Sequence, residues 1–223
     1  MKISLPGANT AIPIGKLLCI GRNYARHAEE MQSDVPDEPM VFLKPASAVI
    51  RSGDAVVLPN RSRDVHHEVE LVAVIGTGGT GISREEALDH VAAYAVGLDM
   101  TARDIQSRAK ERGHPWSVAK GFDTFAPLGP LTPADQVGDV QDLTVSLRVN
   151  GKTRQEATTQ DMIFPVAELI HSCSQIFTLA PGDLIYTGTP DGVGPVSAGD
   201  VLEATATGCA PLRVEVEAGR QEE

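Results

Sequence analysis

The chain has 223 residues, 42% of them hydrophobic and 22% charged, enough for one sizeable core or at most two small ones. Thirty acidic against 19 basic residues leave a net charge of −11, which disfavours nucleic acid and anionic membranes, since both recruit clustered Lys and Arg. No stretch approaches the roughly 20 apolar residues that span a bilayer, the start MKISLPGANT has no apolar signal core, and Cys19, Cys173 and Cys209 lie too far apart for a cluster, as in reduced cytoplasmic proteins.

In chain order, residues 16–21 (KLLCIG) form a short apolar run suited to a buried strand. Asn23 is placed to N-cap a helix over 24–32, and the proline-broken 33–39 (SDVPDEP) reads as a loop. Segments 40–43 and 55–58 read as strands. The run 65–75 (VHHEVELVAVI) begins by alternating, with His66, Glu68 and Glu70 on one face, and ends uniformly apolar and so buried. Ser83 and Glu86 have the capping-box form, and a helix is expected from there to about Ala93. Residues 94–98 are a buried strand with Asp99 at its end, and a helix over 102–112 stops at Gly113. Further on, 143–149, Asn150-Gly151 and the polar strand after them read as a hairpin with a primed turn. Pro165 opens a core-packing helix to Phe177. Strands 183–186 and 201–205 flank the glycine-rich 188–199, strand 212–217 ends the sheet, and AGRQEE is expected to fray.

Four features carry chemistry. Glu68 and Glu70 project from one strand face, and the strand ending at Asp99 is expected beside them. Three carboxylates converging with no nearby Lys or Arg repel one another, and Mg²⁺ or Mn²⁺ would relieve that repulsion. The alternative is a solvated strand face. His27 and Glu30, three apart on a helix, can pair as a general base, or can simply decorate an exposed helix. Lys120, in SVAKGFD, either snorkels to the surface or faces an anionic intermediate. Thr187-Gly188-Thr189-Pro190 offers backbone N–H groups and hydroxyls to an anion, or is a plain turn. His66, His67 and His114 lack a ligand spacing and read as supporting groups. No nucleotide-binding glycine motif is present.

Taken together, GRNYARHAEEM (21–31), MVFLKP (40–45), HHEVELVAVIG (66–76), GLDMTARDIQ (97–106), WSVAKGFDTFAPLGP (116–130) and LIYTGTPDGVGPV (184–196) resemble the fumarylacetoacetate hydrolase superfamily, specifically its short, single-domain acylpyruvase-like members. The resemblance implies an α+β, β-rich fold: a mixed β-sandwich or β-roll with a few peripheral helices, one catalytic domain over 1–223, and usually a homodimer. It implies Mg²⁺ or Mn²⁺ on Glu68, Glu70 and Asp99, a water-activating His27–Glu30 pair, and a lid over about 28–39. Lys120 would stabilise oxyanion charge, and Arg22, Arg103, Gln106, Gly188 and Thr189 would contact a small 2-oxo acid.

The reaction so implied is hydrolysis of the C3–C4 bond of an acylpyruvate, such as acetylpyruvate or fumarylpyruvate, to pyruvate and a carboxylic acid. The competing expectations are oxaloacetate decarboxylation, oxaloacetate keto–enol tautomerisation and isomerisation of 2-hydroxyhepta-2,4-diene-1,7-dioate in aromatic catabolism. An inactive 2-oxo acid binder is the non-enzyme alternative.

Overall fold

Runs without polar alternation must be covered on both faces, and Leu17–Gly21, Val69–Ile75 and Val91–Leu98 are buried along almost their whole length. A computed structural model, which describes residues 1–30 and 36–219, places these runs in the middle of a mixed eight-stranded sheet. Its order is Met40–Lys44, Leu17–Gly21, Leu184–Tyr186, Val69–Ile75, Val91–Leu98, Ala126–Leu128 and Val49–Arg51, with Thr132–Pro133 also pairing with Val91–Leu98. Leu184–Tyr186 runs parallel to Leu17–Gly21 and antiparallel to Val69–Ile75. Residues 31–35 of the expected 28–39 lid, and 220–223 of the expected tail, lie outside the described residues.

The second sheet is amphipathic. Thr144–Val149, Val201–Ala206 and Leu212–Glu217 alternate buried and exposed positions, with Lys152–Thr158 and Ala55–Val57 at the edges. Its inward residues, including Leu147, Ala204 and Val214, share one hydrophobic cluster with Leu71, Ala73, Ile75 and Val96 of the large sheet. Leu169, Ile170 and Cys173 of the helix Val166–Ile176 join the same cluster. The opposite face of the large sheet carries a separate cluster that includes Cys19, Val72, Val74 and Tyr186. Each fully buried Leu or Val stabilises this arrangement by about 1.5–3 kcal/mol. The strand-rich, sandwich-like fold expected from the sequence is the one observed.

Local expectations fare unevenly. The hairpin turn is as expected, with Asn150 at φ 51° and Gly151 at φ 76°, the left-handed pair that a primed turn needs. All three cysteines are free. The capping box at Ser83 forms, the Ser83 hydroxyl donating to Glu86 Oε2 at 3.0 Å and accepting the Glu86 N–H at 3.3 Å. No α-helix follows it. A 3₁₀ turn covers Ala87–His90, and Val91 already starts the strand that pairs with Val69–Ile75. Sheet pairing along VAAYAVGL outweighs the local helix signal. The first helix covers Ala25–Glu30, and Asn23 does not cap it. The Asn23 amide donates instead to Phe164 O at 3.0 Å and Thr187 O at 2.8 Å, and its Oδ1 accepts the Phe164 N–H at 2.8 Å. It ties the first loop to the two that flank the site. Among the described residues no helix is long and apolar enough to cross a membrane.

Candidate active site

The ladder breaks at Glu68, between Val65–His67 and Val69–Ile75. There the Glu68 carbonyl accepts the Asp99 N–H at 2.8 Å, which brings the end of the neighbouring strand against it. Val69 is opposite Leu98 in register and Glu70 opposite Gly97. Glu68, Glu70 and Asp99 are therefore neighbours although they come from two strands. They are 5%, 1% and 1% exposed, and one carboxylate oxygen from each lies within 4.8 Å of the other two. The sequence-expected trio converges and is not a solvated face.

The structure corrects one premise: cations do surround the trio. Lys44 bonds Asp99 Oδ1, Met100 O at 3.0 Å and Phe125 O at 2.5 Å, so all three ammonium protons are taken. Lys120 Nζ lies 2.7 Å from Glu68 Oε2 and 2.5 Å from Asp99 Oδ2. Arg103 donates to Glu68 Oε1 at 2.6 Å, and the Thr101 hydroxyl donates to the same oxygen at 2.9 Å. Lys44 and Lys120 reach Asp99 and Glu68 across separations of 55 and 52 residues, too far for sequence proximity to reveal them.

Charge is shared unequally. Burial raises the Glu68 carboxyl, but Lys120, Arg103 and His27 outweigh it and hold Glu68 well below the usual carboxylate range. Glu70 has no ion pair among the described residues and accepts only the Gly188 N–H, at 2.8 Å. Burial, then Asp99 and Glu68, push it well above its ordinary value. A buried carboxylate with two acidic neighbours and no counter-ion of its own suits a hard divalent cation, which favours oxygen donors. The donor set thus fits Mg²⁺ or Mn²⁺, held by Glu68, Glu70 and Asp99.

A narrow cleft opens over this floor, lined in part by His27, Glu68, Glu70, Arg103, Lys120 and Thr189. His27 Nδ1 and Glu30 Oε2 are 3.3 Å apart, so the expected pair is formed. Glu30 also accepts the Gly192 N–H, which fixes it against the glycine-rich turn. Burial lowers the His27 pKa below the usual 6.5, partly opposed by Glu68 and Glu30, so the ring is neutral near pH 7 and can accept a proton.

The remaining expected residues divide. Arg22, Arg103, Gln106 and Thr189 line the cavity, with Arg103 donating to Gln106 Oε1 at 2.7 Å. Arg103 Nε is buried without a hydrogen-bond partner among the described residues. Gly188 departs from expectation: its N–H is taken by Glu70, not offered to the cavity. Its φ is +97°, and a Cβ there would come within 2.6 Å of Asn23 Cβ, so glycine is required to bring that N–H to the carboxylate.

Three contributors were not singled out in the sequence. Lys44 sits inside MVFLKP at the buried end of an apolar strand, where a lysine needs a fixed anion, and this was the available signal. Lys110, on the helix Arg103–Glu111, lines the cavity beside Trp116, with its Nζ 5.2 Å from the indole centroid. Burial, then Arg103 and Arg22, lower its pKa. Gln155 is the third.

Comparison with known proteins gives a consistent picture. The family model for the fumarylacetoacetate hydrolase C-terminal domain matches residues 16–217. The chain is 47% identical to the mitochondrial oxaloacetate tautomerase of Arabidopsis thaliana, over 91% of each chain. It is 45% identical to an oxaloacetate tautomerase of Escherichia coli, over 91% of this chain and 93% of the relative. A crystal structure of fumarylpyruvate hydrolase from Pseudomonas aeruginosa with Mn²⁺ and pyruvate superposes with a TM-score of 0.92 at 43% identity, covering 98% of this chain and 96% of the other.

Proposed function

The chain belongs to the fumarylacetoacetate hydrolase family, and we propose that within it the protein is a divalent-metal-dependent oxaloacetate keto–enol tautomerase. The observation that carries this reading is the opposed charge imbalance of the cavity. Its floor holds Glu70 without a counter-ion among the described residues, whereas its wall adds Arg22 and Lys110 to the Arg103–Glu68 pair. A divalent cation together with a small dicarboxylate satisfies both. The identity to oxaloacetate tautomerases over nine-tenths of the chain supports the choice of substrate.

A metal held by Glu68, Glu70 and Asp99 would supply Lewis-acid polarisation of the 2-oxo oxygen. The protein's own groups do the rest. Thr189 and Arg103 donate to the substrate's carboxylates, and Gln106 holds the Arg103 guanidinium in place. In ketonisation the enol O–H bond breaks, a C3–H bond forms and the C2=C3 π bond becomes the C2=O π bond, so one proton moves and no carbon–carbon σ bond breaks. His27, with Nδ1 engaged by Glu30, has its second ring nitrogen available to carry that proton. Lys120 lies against the same floor and stabilises the enolate charge that develops as the proton moves.

Acylpyruvate hydrolysis is the second reading, favoured by the close likeness to the Mn²⁺- and pyruvate-bound fumarylpyruvate hydrolase. It uses the same floor and the same base, with His27 taking its proton from water. Product analysis separates the two. The protein, with Mg²⁺ or Mn²⁺ and then with EDTA, is given oxaloacetate, fumarylpyruvate and acetylpyruvate. Metal-dependent ketonisation of oxaloacetate with both pyruvates left intact supports the tautomerase. Release of pyruvate and a free acid, with oxaloacetate enol decaying at its uncatalysed rate, supports the hydrolase.

A further inference from the structure

Gln155 belongs to the strand Lys152–Thr158, in which it is the buried residue, and it is 1% exposed. Its register partner is the core residue Leu147, so an amide stands where an apolar side chain would be ordinary. A buried amide is costly unless its hydrogen-bonding groups are met, and those of Gln155 are. Oε1 accepts the Val69 N–H at 3.1 Å and lies 3.0 Å from His67 Nδ1. Nε2 lies 2.9 Å from both Thr189 Oγ1 and Pro190 O.

The direction of every one of these bonds is forced. The Val69 N–H can only donate and the Pro190 carbonyl can only accept, so the amide cannot be flipped. The second Nε2 proton then goes to Thr189 Oγ1, which is an acceptor from Gln155. The Thr189 hydroxyl keeps its own proton free to donate, and Thr189 lines the cavity beside Glu68 and Arg103.

We propose that Gln155 is a positioning residue that sets the Thr189 hydroxyl as a hydrogen-bond donor to the carboxylate of a bound 2-oxo acid. This rests on the reading of Thr189 as a substrate contact. By occupying the acceptor side of Oγ1, Gln155 removes the hydroxyl orientations that would present a lone pair to the anion. Through Pro190 O it also ties the turn that carries Thr189 to the second sheet. Gln155 itself does not line the cavity and reaches substrate only through Thr189.

The test uses the metal-loaded protein carrying Gln155→Met, Thr189→Val or both, with Thr189→Ser as the conservative variant. It reads KM and kcat for oxaloacetate and, by calorimetry with Mg²⁺ present, the Kd of pyruvate. Each single change is expected to raise KM and the pyruvate Kd about tenfold with kcat within about twofold, as for loss of one hydrogen bond to a charged group. The double variant should be no weaker than Thr189→Val alone, and Thr189→Ser should restore affinity. Wild-type binding in Thr189→Val would overturn the substrate role of Thr189, and the proposal with it. Weakened binding in Thr189→Val but not in folded Gln155→Met, or losses that multiply in the double variant, would overturn the proposal alone. Should Gln155→Met not fold, Gln155→Glu keeps the acceptor for Val69 and His67 but draws the Thr189 proton to itself. It should raise KM at least as much, and an unchanged KM would again overturn the proposal.

Discussion

Lys120 Nζ lies 2.7 Å from Glu68 Oε2, the carboxylate oxygen left over after Arg103 and Thr101 have taken the other. The same ammonium bonds Asp99 Oδ2. A cation bridging two of three carboxylates competes with any divalent ion that needs them. Removing one partner of a buried pair costs about 3–5 kcal/mol, so Lys120→Met should be destabilised by that amount in EDTA. It should then gain more Tm on adding Mn²⁺ than the wild type does. Thermal melts in EDTA and in Mn²⁺ check both; equal gains would show that ammonium and metal do not share ligands.

Glu70 gives the complementary pH dependence. Its raised pKa means that the metal-free folded state holds this proton more tightly than the unfolded chain does. Its favourable contribution is complete below the ordinary 4.5 and is lost as pH rises through the raised value. In EDTA, wild-type Tm should therefore fall more steeply on raising pH than that of Glu70→Gln, whose amide imitates the protonated acid. Glu70→Gln should also lose the Mn²⁺ response. Parallel pH profiles for the two proteins would contradict the assignment.

For His27 the sign is reversed. Burial lowers its pKa, so the neutral base is present above 6.5 and is lost, with the stability it confers, as pH falls through the lowered value. The acidic limb of kcat/KM should therefore lie below pH 6.5. Glu30→Gln removes a group that raises this pKa and should move the limb lower still. His27→Ala should reduce kcat by about 10²–10⁴, the usual range for a general base, with Mn²⁺ affinity unchanged. A limb that stays in place in Glu30→Gln would separate Glu30 from the base.

Lys44 should be structural in its effect. It is fully enclosed, and its protons go to Asp99 and two backbone carbonyls. Lys44→Met takes the ammonium away from Asp99 Oδ1, Met100 O and Phe125 O, a loss of about 3–5 kcal/mol in urea unfolding. Wild-type stability in this variant would contradict the account of the floor.

The carboxylate floor was legible because its spacing is local. Glu68 and Glu70 are two apart in one extended run, Asp99 follows an apolar strand, and His27 and Glu30 are three apart on a helix. The strand-rich fold was legible from the same runs. Lys44 and Gln155 were not, because their partners lie 55 and 34 residues away, and the contacts exist only once the sheets have closed. The helix expected after Ser83 failed where a correct local cap was overruled by strand pairing at Val91. Gly188 was expected to serve substrate through its N–H, but only the fold shows that Glu70 takes that bond. The sequence placed acylpyruvate cleavage ahead of oxaloacetate chemistry, and the opposite order proposed above is supported by the tautomerase relatives.

The central claim is that this cavity ketonises oxaloacetate through a metal-loaded carboxylate floor and His27. The most direct measurement follows the ultraviolet absorbance of freshly dissolved enol-oxaloacetate with the Mg²⁺-loaded wild type, with EDTA-treated wild type and with His27→Ala. The account expects rapid decay of the enol with no release of CO₂, slowed to the uncatalysed rate by EDTA and nearly so by His27→Ala. Enol decay at the uncatalysed rate with Mg²⁺-loaded wild type would contradict it.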